Sequence, residues 1–249
     1  MKMPEIDALI AWRLLVNYRV DAEVAARLLP APFRPQLVDG WAVAGICAMR
    51  LDRSRPRGVP GFLGRGSVNA AHRIAVEWDG PDGTTTGVYI PRRDTASLLN
   101  SFIGGRFFPG EYQRARFTTR ETGGGLHVTF ESADRSAAAD VKVEPASELG
   151  SSMLFSDLGQ ASEFFKKGSV GYSATSGGAC LDGMELRTDA WAVEPVRVLA
   201  ARSAYFEDPT FFPAGSATLD CALLMRDVPV TWHALTPMRS AQPAAATAP

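Results

Sequence analysis

Arginine, acid and aromatic side chains with the makings of a small-molecule site gather in the middle of this 249-residue chain. Arg92, Arg93 and Asp94 follow the apolar run Gly87-Val88-Tyr89-Ile90-Pro91, and Arg106, Glu111 and Tyr112 follow the Gly104-Gly105 hinge. Guanidinium forks bind carboxylate and phosphate bidentately, so Arg92, Arg93 and Arg106 are candidate clamps for an anionic ligand. The alternative for Arg92 and Arg93 is a surface turn with weak Arg–Asp pairs. Glu111, turned inward with its pKa raised by burial, could act as a general base, with Tyr112 as proton donor. Just upstream, Asn69-Ala70-Ala71-His72-Arg73-Ile74-Ala75-Val76 has the period of a strand. Asn69 and Arg73 then share one face with Ala71 and form a polar stripe that can line a pocket. His72 shares the other face with Ala70, Ile74 and Val76. That company suits a core histidine, and His72 is also the candidate imidazole for acid–base work.

Other chemistries find less support. Cys47, Cys180 and Cys221 are odd in number, far apart and set among apolar neighbours, so buried reduced thiols are expected. A catalytic thiolate needs a nearby base, and no local sequence supplies one. No His, Cys, Asp or Glu spacing marks a metal site, and no nucleophile elbow, phosphate loop or complete dinucleotide fingerprint occurs. No cofactor is expected. The basic residues are 22 Arg against 4 Lys, so only Lys2, Lys142, Lys166 and Lys167 could form an imine. Lys166-Lys167 precedes Gly168 at the end of a helical pattern, where cations complement the helix dipole in solvent.

Composition bounds the rest. Hydrophobic residues make up 46% and charged residues 21%, an ordinary globular balance. A net charge of -1 and aromatics that do not alternate with basic residues argue against nucleic acid. No apolar run approaches a spanning helix, and the acidic N-terminal stretch lacks a signal peptide's apolar core, so no membrane partner and a cytoplasmic location are expected.

The elements that must position these residues are mostly strands. Strand patterns run over 11–20, 41–49, 67–78, 85–90, 112–119, 126–132, 137–143, 170–174, 185–199 and 217–224. Asp79-Gly80-Pro81-Asp82-Gly83 and Gly123-Gly124-Gly125 are hairpin turns. Helical patterns cover 22–29, capped by Asp21; 95–103, capped by Asp94 or Thr95; and 156–167, capped by Ser156. Residues 52–66, rich in Arg, Pro and Gly, read as a long polar loop. The fold class is therefore α+β: a mostly antiparallel, barrel-like sheet with a few short flanking helices. One domain is expected over 1–239, with a disordered tail at 240–249.

Several motifs taken in order resemble a known family. They are Trp12-Arg13-Leu14-Leu15-Val16-Asn17-Tyr18-Arg19-Val20-Asp21, Leu28-Leu29-Pro30-Ala31-Pro32-Phe33, Ser67-Val68-Asn69, Gly87-Val88-Tyr89, Asp182-Gly183-Met184-Glu185-Leu186 and Leu223-Leu224-Met225-Arg226-Asp227. Together they resemble the uncharacterised YqjF-like proteins of the acetoacetate-decarboxylase-like superfamily, over roughly residues 10 to 235. The resemblance implies a barrel-like body with an interior pocket. In the decarboxylases a Tyr-Pro-Lys-Lys segment carries the lysine that forms a Schiff base. The corresponding segment here is Phe108-Pro109-Gly110-Glu111, which cannot form an imine. The expected ligand is a small-molecule carboxylate or keto acid, worked on by enolisation, dehydration or hydration. The alternatives are a non-catalytic ligand-binding or scaffold protein on the same fold and, third, a Schiff-base enzyme using Lys166 or Lys167. A homo-oligomer is the assembly to test.

Overall fold

The computed structural model describes residues 4–97, 112–175 and 178–240. Glu111, Arg106, the 98–103 part of the expected helix and the 241–249 part of the expected tail lie outside the described residues.

Fourteen strands pair into one sheet: β1 (Ile6–Val20), β2 (Arg34–Pro35), β3 (Leu37–Val38), β4 (Trp41–Pro56), β5 (Arg65–Gly80), β6 (Gly83–Thr95), β7 (Tyr112–Thr122), β8 (Gly125–Ser132), β9 (Ala138–Pro145), β10 (Val170–Ala174), β11 (Cys180–Arg187), β12 (Glu194–Ser203), β13 (Ala217–Ala234) and β14 (Met238–Arg239). The described helices are short: α1 (Ala22–Arg27), α2 (Leu158–Lys167) and α3 (Ala204–Glu207). Most pairings are antiparallel; β6 pairs in parallel with both β7 and β10. The fold is thus the expected mostly antiparallel α+β class.

Hydrogen bonding closes the sheet on itself twice. One ring runs β6-β7-β8-β9-β12-β13-β1-β4-β5 and returns to β6, nine strands in all. The other runs β6-β10-β11-β13-β1-β4-β5 and also returns to β6, seven strands in all. The strands β13, β1, β4, β5 and β6 belong to both rings. A wall between two interiors must be apolar on both faces, and the sequences show it. Ala42, Val43, Ala44, Ile46 and Cys47 of β4 are all buried, as are Leu14, Leu15 and Val16 of β1. Closing the edges removes the unpaired backbone that an open sheet of this length would expose.

The two faces pack differently. Trp12, Leu14, Val16, Ile46 and Ile74 point to a large core shared with Val128 and Phe130 of β8 and Val141 and Val143 of β9. Leu15, Val43, Cys47 and Ala75 point the other way, onto Leu154, Phe155 and the Ala161 and Phe165 face of α2. That helix is amphipathic as expected, and Gly168 ends it. Its cap is Asp157, which accepts from the Gln160 amide, and not Ser156. Ser156 sits one residue earlier, where its own amide donates to the Gln160 side chain, so the reciprocal bonds of a capping box are split over two residues.

Two further expectations change. Residues 52–66 are not one long loop: β4 continues to Pro56 and β5 begins at Arg65, with a 3-10 turn at Gly61–Leu63 between them. Strand pairing overrides the Arg, Pro and Gly content here, because Leu51↔Ser67 and Ser54↔Arg65 extend the ladder past a register shift. Asp94 and Thr95 end β6, paired with Ala70 and Asn69 on β5, and Thr95 Oγ1 accepts from the Ser97 amide; the 98–103 part of the helix they are expected to cap lies outside the described residues. The 185–199 pattern divides into β11 and β12, which pair with different neighbours.

Candidate functional site

The register of the shared wall brings distant residues into rows on one face. Arg13↔Met49↔Asn69, Leu15↔Cys47↔Ala71 and Asn17↔Gly45↔Arg73 cross β1, β4 and β5, and Ala71 continues to Arg93 on β6. These residues face the interior of the seven-strand ring, which encloses a cavity of about 120 Å³. Every strand of that ring contributes to the lining. Arg13 comes from β1, Cys47 and Met49 from β4, Arg73 from β5, Arg93 from β6, Gly171 from β10, Met184 from β11 and Trp232 from β13; Tyr112, which opens β7, joins them.

Gly45 and Pro91 make this arrangement. Gly45 lies between Asn17 and Arg73, and a Cβ there would come within 2.2 Å of the Val16 carbonyl oxygen. With no side chain in the way, Arg73 reaches across β4 and its Nη2 donates to Asn17 Oδ1 at 2.5 Å. Pro91 sits at a bulge: Ile74 pairs with Tyr89 but His72 pairs with Arg92, so β6 carries one extra residue. A proline, lacking an N–H, suits such a break in the ladder. The extra residue reverses the alternation, so Val88, Ile90 and Arg93 all line the cavity.

The cavity is cationic. Arg13, Arg73 and Arg93 line it, and no Asp or Glu is among the described lining residues. Arg73 is 4% exposed. Its Nε has no hydrogen-bond partner among the described residues, and its guanidinium lies 4.7 Å from the centre of the Phe165 ring. Burial pushes its pKa down to about 10, opposed by Cys47 and Cys221, so it remains charged at neutral pH. Arg13 Nε donates to Cys47 Sγ at 3.2 Å. Arg93 Nε donates to Ser173 Oγ at 3.3 Å, and its guanidinium lies 5.7 Å from the centre of the Tyr112 ring. Asn69 also lines the cavity, its amide held between Ser67 and Thr95.

His72 and Arg92 occupy the opposite face. His72 is fully buried beside Tyr205, whose ring centre is 4.5 Å away, and it also meets Phe130 and Phe206. Both of its ring nitrogens lack a hydrogen-bond partner among the described residues. Burial, helped by the Arg92 charge, pushes its pKa down to about 3. It is therefore a neutral core imidazole away from the cavity, not an acid–base group at it. Arg92 is not a surface-turn residue, nor is it a free clamp. Its Nε and Nη2 donate to the fully buried Asp94 carboxylate at 3.0 Å each, and its Nη1 to Ser136 Oγ at 2.6 Å. This fork ties β6 to the β8–β9 turn. Burial raises the Asp94 pKa against the lowering effect of Arg92.

Of the residues singled out from the sequence, Asn69, Arg73, Arg93 and Tyr112 thus come together, and His72 and Arg92 turn away. Sequence reasoning assigned no site role to Arg13 or Asn17, and it read Cys47 only as a buried reduced thiol, which it is; none of the three was placed at a pocket. A signal existed for two of them: Arg13 and Asn17 are polar, four apart and on one face of a strand that is otherwise largely apolar. Nothing local marks Cys47, because its partner is 34 residues away.

Residues 10–228 match the family DUF2071, described as an uncharacterized conserved protein. The chain belongs to that family. No curated protein matches it in sequence. Among solved structures, this DUF2071 member is similar to an acetoacetate decarboxylase from Legionella pneumophila, at 8% identity and TM-score 0.57, over 94% of this chain and 88% of that one. It is similar to an acetoacetate decarboxylase-like enzyme from Sphingomonas wittichii, at 14% identity and TM-score 0.58, over 96% and 93%. It also resembles the enduracididine biosynthesis enzyme MppR complexed with pyruvate, at 11% identity and TM-score 0.56, over 96% and 91%. At such identities the likeness establishes an acetoacetate-decarboxylase-like fold and carries no residue roles. Among the described residues, no lysine lines the cavity of this DUF2071 member. Lys166 and Lys167 end α2 in exposed positions, and Lys142 is exposed on β9.

Proposed function

We propose that this chain binds a compact carboxylate or keto acid in the cavity of the seven-strand ring and acts on it by acid–base chemistry without a Schiff base. The observation that carries this reading is the charge imbalance of the site: three guanidiniums line it, with no carboxylate beside them among the described residues. An ion left unpaired in the interior costs several kcal/mol, and a bound carboxylate would supply the missing counter-charge. Arg73 and Arg93 hold the anion in this reading, with Asn69 and Arg13 completing the polar lining. Met184, Ile90 and Trp232 exclude water from the remainder. Glu111 remains the proposed base and Tyr112 the proposed donor, and Arg106 a further proposed clamp, for enolisation, dehydration or hydration next to the carboxylate. His72 and Arg92 drop out of that role because they face the other interior. The similar enzyme MppR is complexed with pyruvate, which supports a keto acid as the first ligand to test. We place this function in one domain over residues 1–239.

Pyruvate titrated into the protein should raise its Tm in proportion to the logarithm of ligand concentration. Arg93→Ala should weaken that binding by about 10- to 100-fold, the equivalent of one charge-assisted hydrogen bond. Borohydride added with pyruvate should trap no lysine adduct. Equal stabilisation of Arg93→Ala and the parent would remove the anion-binding reading, and a reduced adduct on Lys166 or Lys167 would restore imine chemistry. A second reading, a binding protein that performs no reaction, is favoured if pyruvate binds and no keto acid tried is turned over; turnover that survives Glu111→Gln would instead remove Glu111 as the base.

A further inference from the structure

We propose that Cys47 is a nucleophilic thiol that bonds covalently to electrophilic carboxylates held in this cavity. The inference rests on the reading of the cavity as a carboxylate site and adds a reactive atom to it. Cys47 is among the cavity-lining residues, and its Sγ accepts the Arg13 Nε–H at 3.2 Å. Arg93 lies two strands away in the same cross-strand row, with only the small Ala71 between them, and Arg73 lies in the next row across Gly45. Arg73, a side chain of the cavity wall held by Asn17 through Nη2, keeps a buried Nε with no partner among the described residues, so its charge is only partly satisfied by the protein. Thiolates are the nucleophilic form of cysteine, and reactive cysteines share electropositive surroundings.

The other two cysteines set the contrast. Cys221 is buried against Asn17 and next to Asp220; burial pushes its thiol up to about 12, and it is not among the cavity residues. Cys180 opens β11 and is not among the cavity residues. Only Cys47, among the three, combines a guanidinium on its sulfur with access to an anion site.

The substrate class that fits is an α,β-unsaturated carboxylate. Its carboxylate pairs with Arg73 and Arg93, and its β-carbon meets Sγ. The S–Cβ bond forms as the alkene π pair moves to the α-carbon, and the proton given up by the thiol ends on that carbon. One S–H bond and one π bond are exchanged for one C–S and one C–H bond, with no oxidant or reductant required.

The test uses the full chain and a matched pair of alkylating probes, iodoacetate and iodoacetamide, read by peptide mass mapping with Cys180 and Cys221 as internal references. Cys47 should be modified about 10-fold or more faster by the anionic reagent, with the preference shrinking as salt is added, as for any steered anion. Acrylate should likewise leave an adduct on Cys47 where acrylamide does not. Modification of Cys47 only after unfolding, or at equal or greater rate by iodoacetamide, overturns the proposal. The Cys47→Ala variant separates the two readings. If pyruvate still raises its Tm while the parent's Cys47 stays unlabelled, the anion site stands and the nucleophile falls. If pyruvate stabilises neither protein and iodoacetate shows no preference, both fall.

Discussion

Replacing His72 with phenylalanine should remove most of the acid sensitivity that this imidazole imposes on the fold. In the unfolded chain a histidine titrates near 6.5, and in the native core burial and the Arg92 charge push His72 to about 3. Between those values the unfolded state holds a proton that the native state cannot accept, so stability falls as pH falls through that window and is fully present above about 6.5. Worked through for a single site, lowering the pH from about 7 to about 5 removes about 2 kcal/mol of unfolding free energy. The aromatic surroundings of Tyr205, Phe130 and Phe206 accept a phenyl ring of similar shape. The substitution also deletes two ring nitrogens that have no partner among the described residues. Urea denaturation at a series of pH values measures the effect as the difference between parent and His72→Phe; His127 and His233 are common to both and cancel. The expected result is a difference that grows by about 2 kcal/mol in the variant's favour on going to about pH 5. Parallel pH profiles, or an imidazole NMR titration near neutrality assigned to His72, would refute the placement of this residue in a dry core and return it to consideration as an acid–base group.

Two substitutions probe the wall itself. Arg92→Ala leaves the fully buried Asp94 without its bidentate partner and should destabilise the protein by about 3 kcal/mol while leaving pyruvate affinity unchanged; chemical denaturation and the same Tm titration check both halves. Gly45→Ala places a Cβ against the Val16 carbonyl oxygen and should cost about 1–3 kcal/mol, with loss of pyruvate binding as Arg73 is displaced, read by the same two measurements.

The fold class was legible because period-2 patterning survives in almost every strand. The β5–β6 and β7–β8 hairpins follow from Asp79-Gly80-Pro81-Asp82-Gly83 and the Gly123 turn, whose positive-φ glycines supply the tight reversals. Face assignment on β5 was legible for the same reason: Asn69 and Arg73 line the cavity, and His72 does not. Two things were hidden. The bulge at Pro91 inverts the alternation of β6, and proline alone does not say whether a strand ends or continues past it. Arg92-Arg93-Asp94 therefore looked like a turn. The second is non-local pairing. The bonds joining Arg13 to Cys47 and Arg73 to Asn17 span 34 and 56 residues, and they depend on registers between strands that no short stretch of sequence encodes.

The charge of the cavity follows from the same alternation. Arg92, Arg93 and Asp94 are consecutive, and on a surface turn the one acid would lie beside both arginines. In β6 they point to opposite faces. Arg92 and Asp94 turn to the side of His72 and satisfy each other, while Arg93 turns alone into the seven-strand ring. On β5, likewise, Arg73 is separated from its neighbour His72 by the thickness of the sheet. A wall shared by two rings thus sorts side chains by parity, sending the acid of this stretch to one interior and two of the guanidiniums to the other. Shifting the β6 register by one residue would bring Arg92 and Asp94 into the cavity in place of Arg93, lowering its net charge by one and setting a carboxylate among the arginines. The bulge at Pro91 is therefore a determinant of the cavity's charge alongside the arginines, although it carries no charge itself.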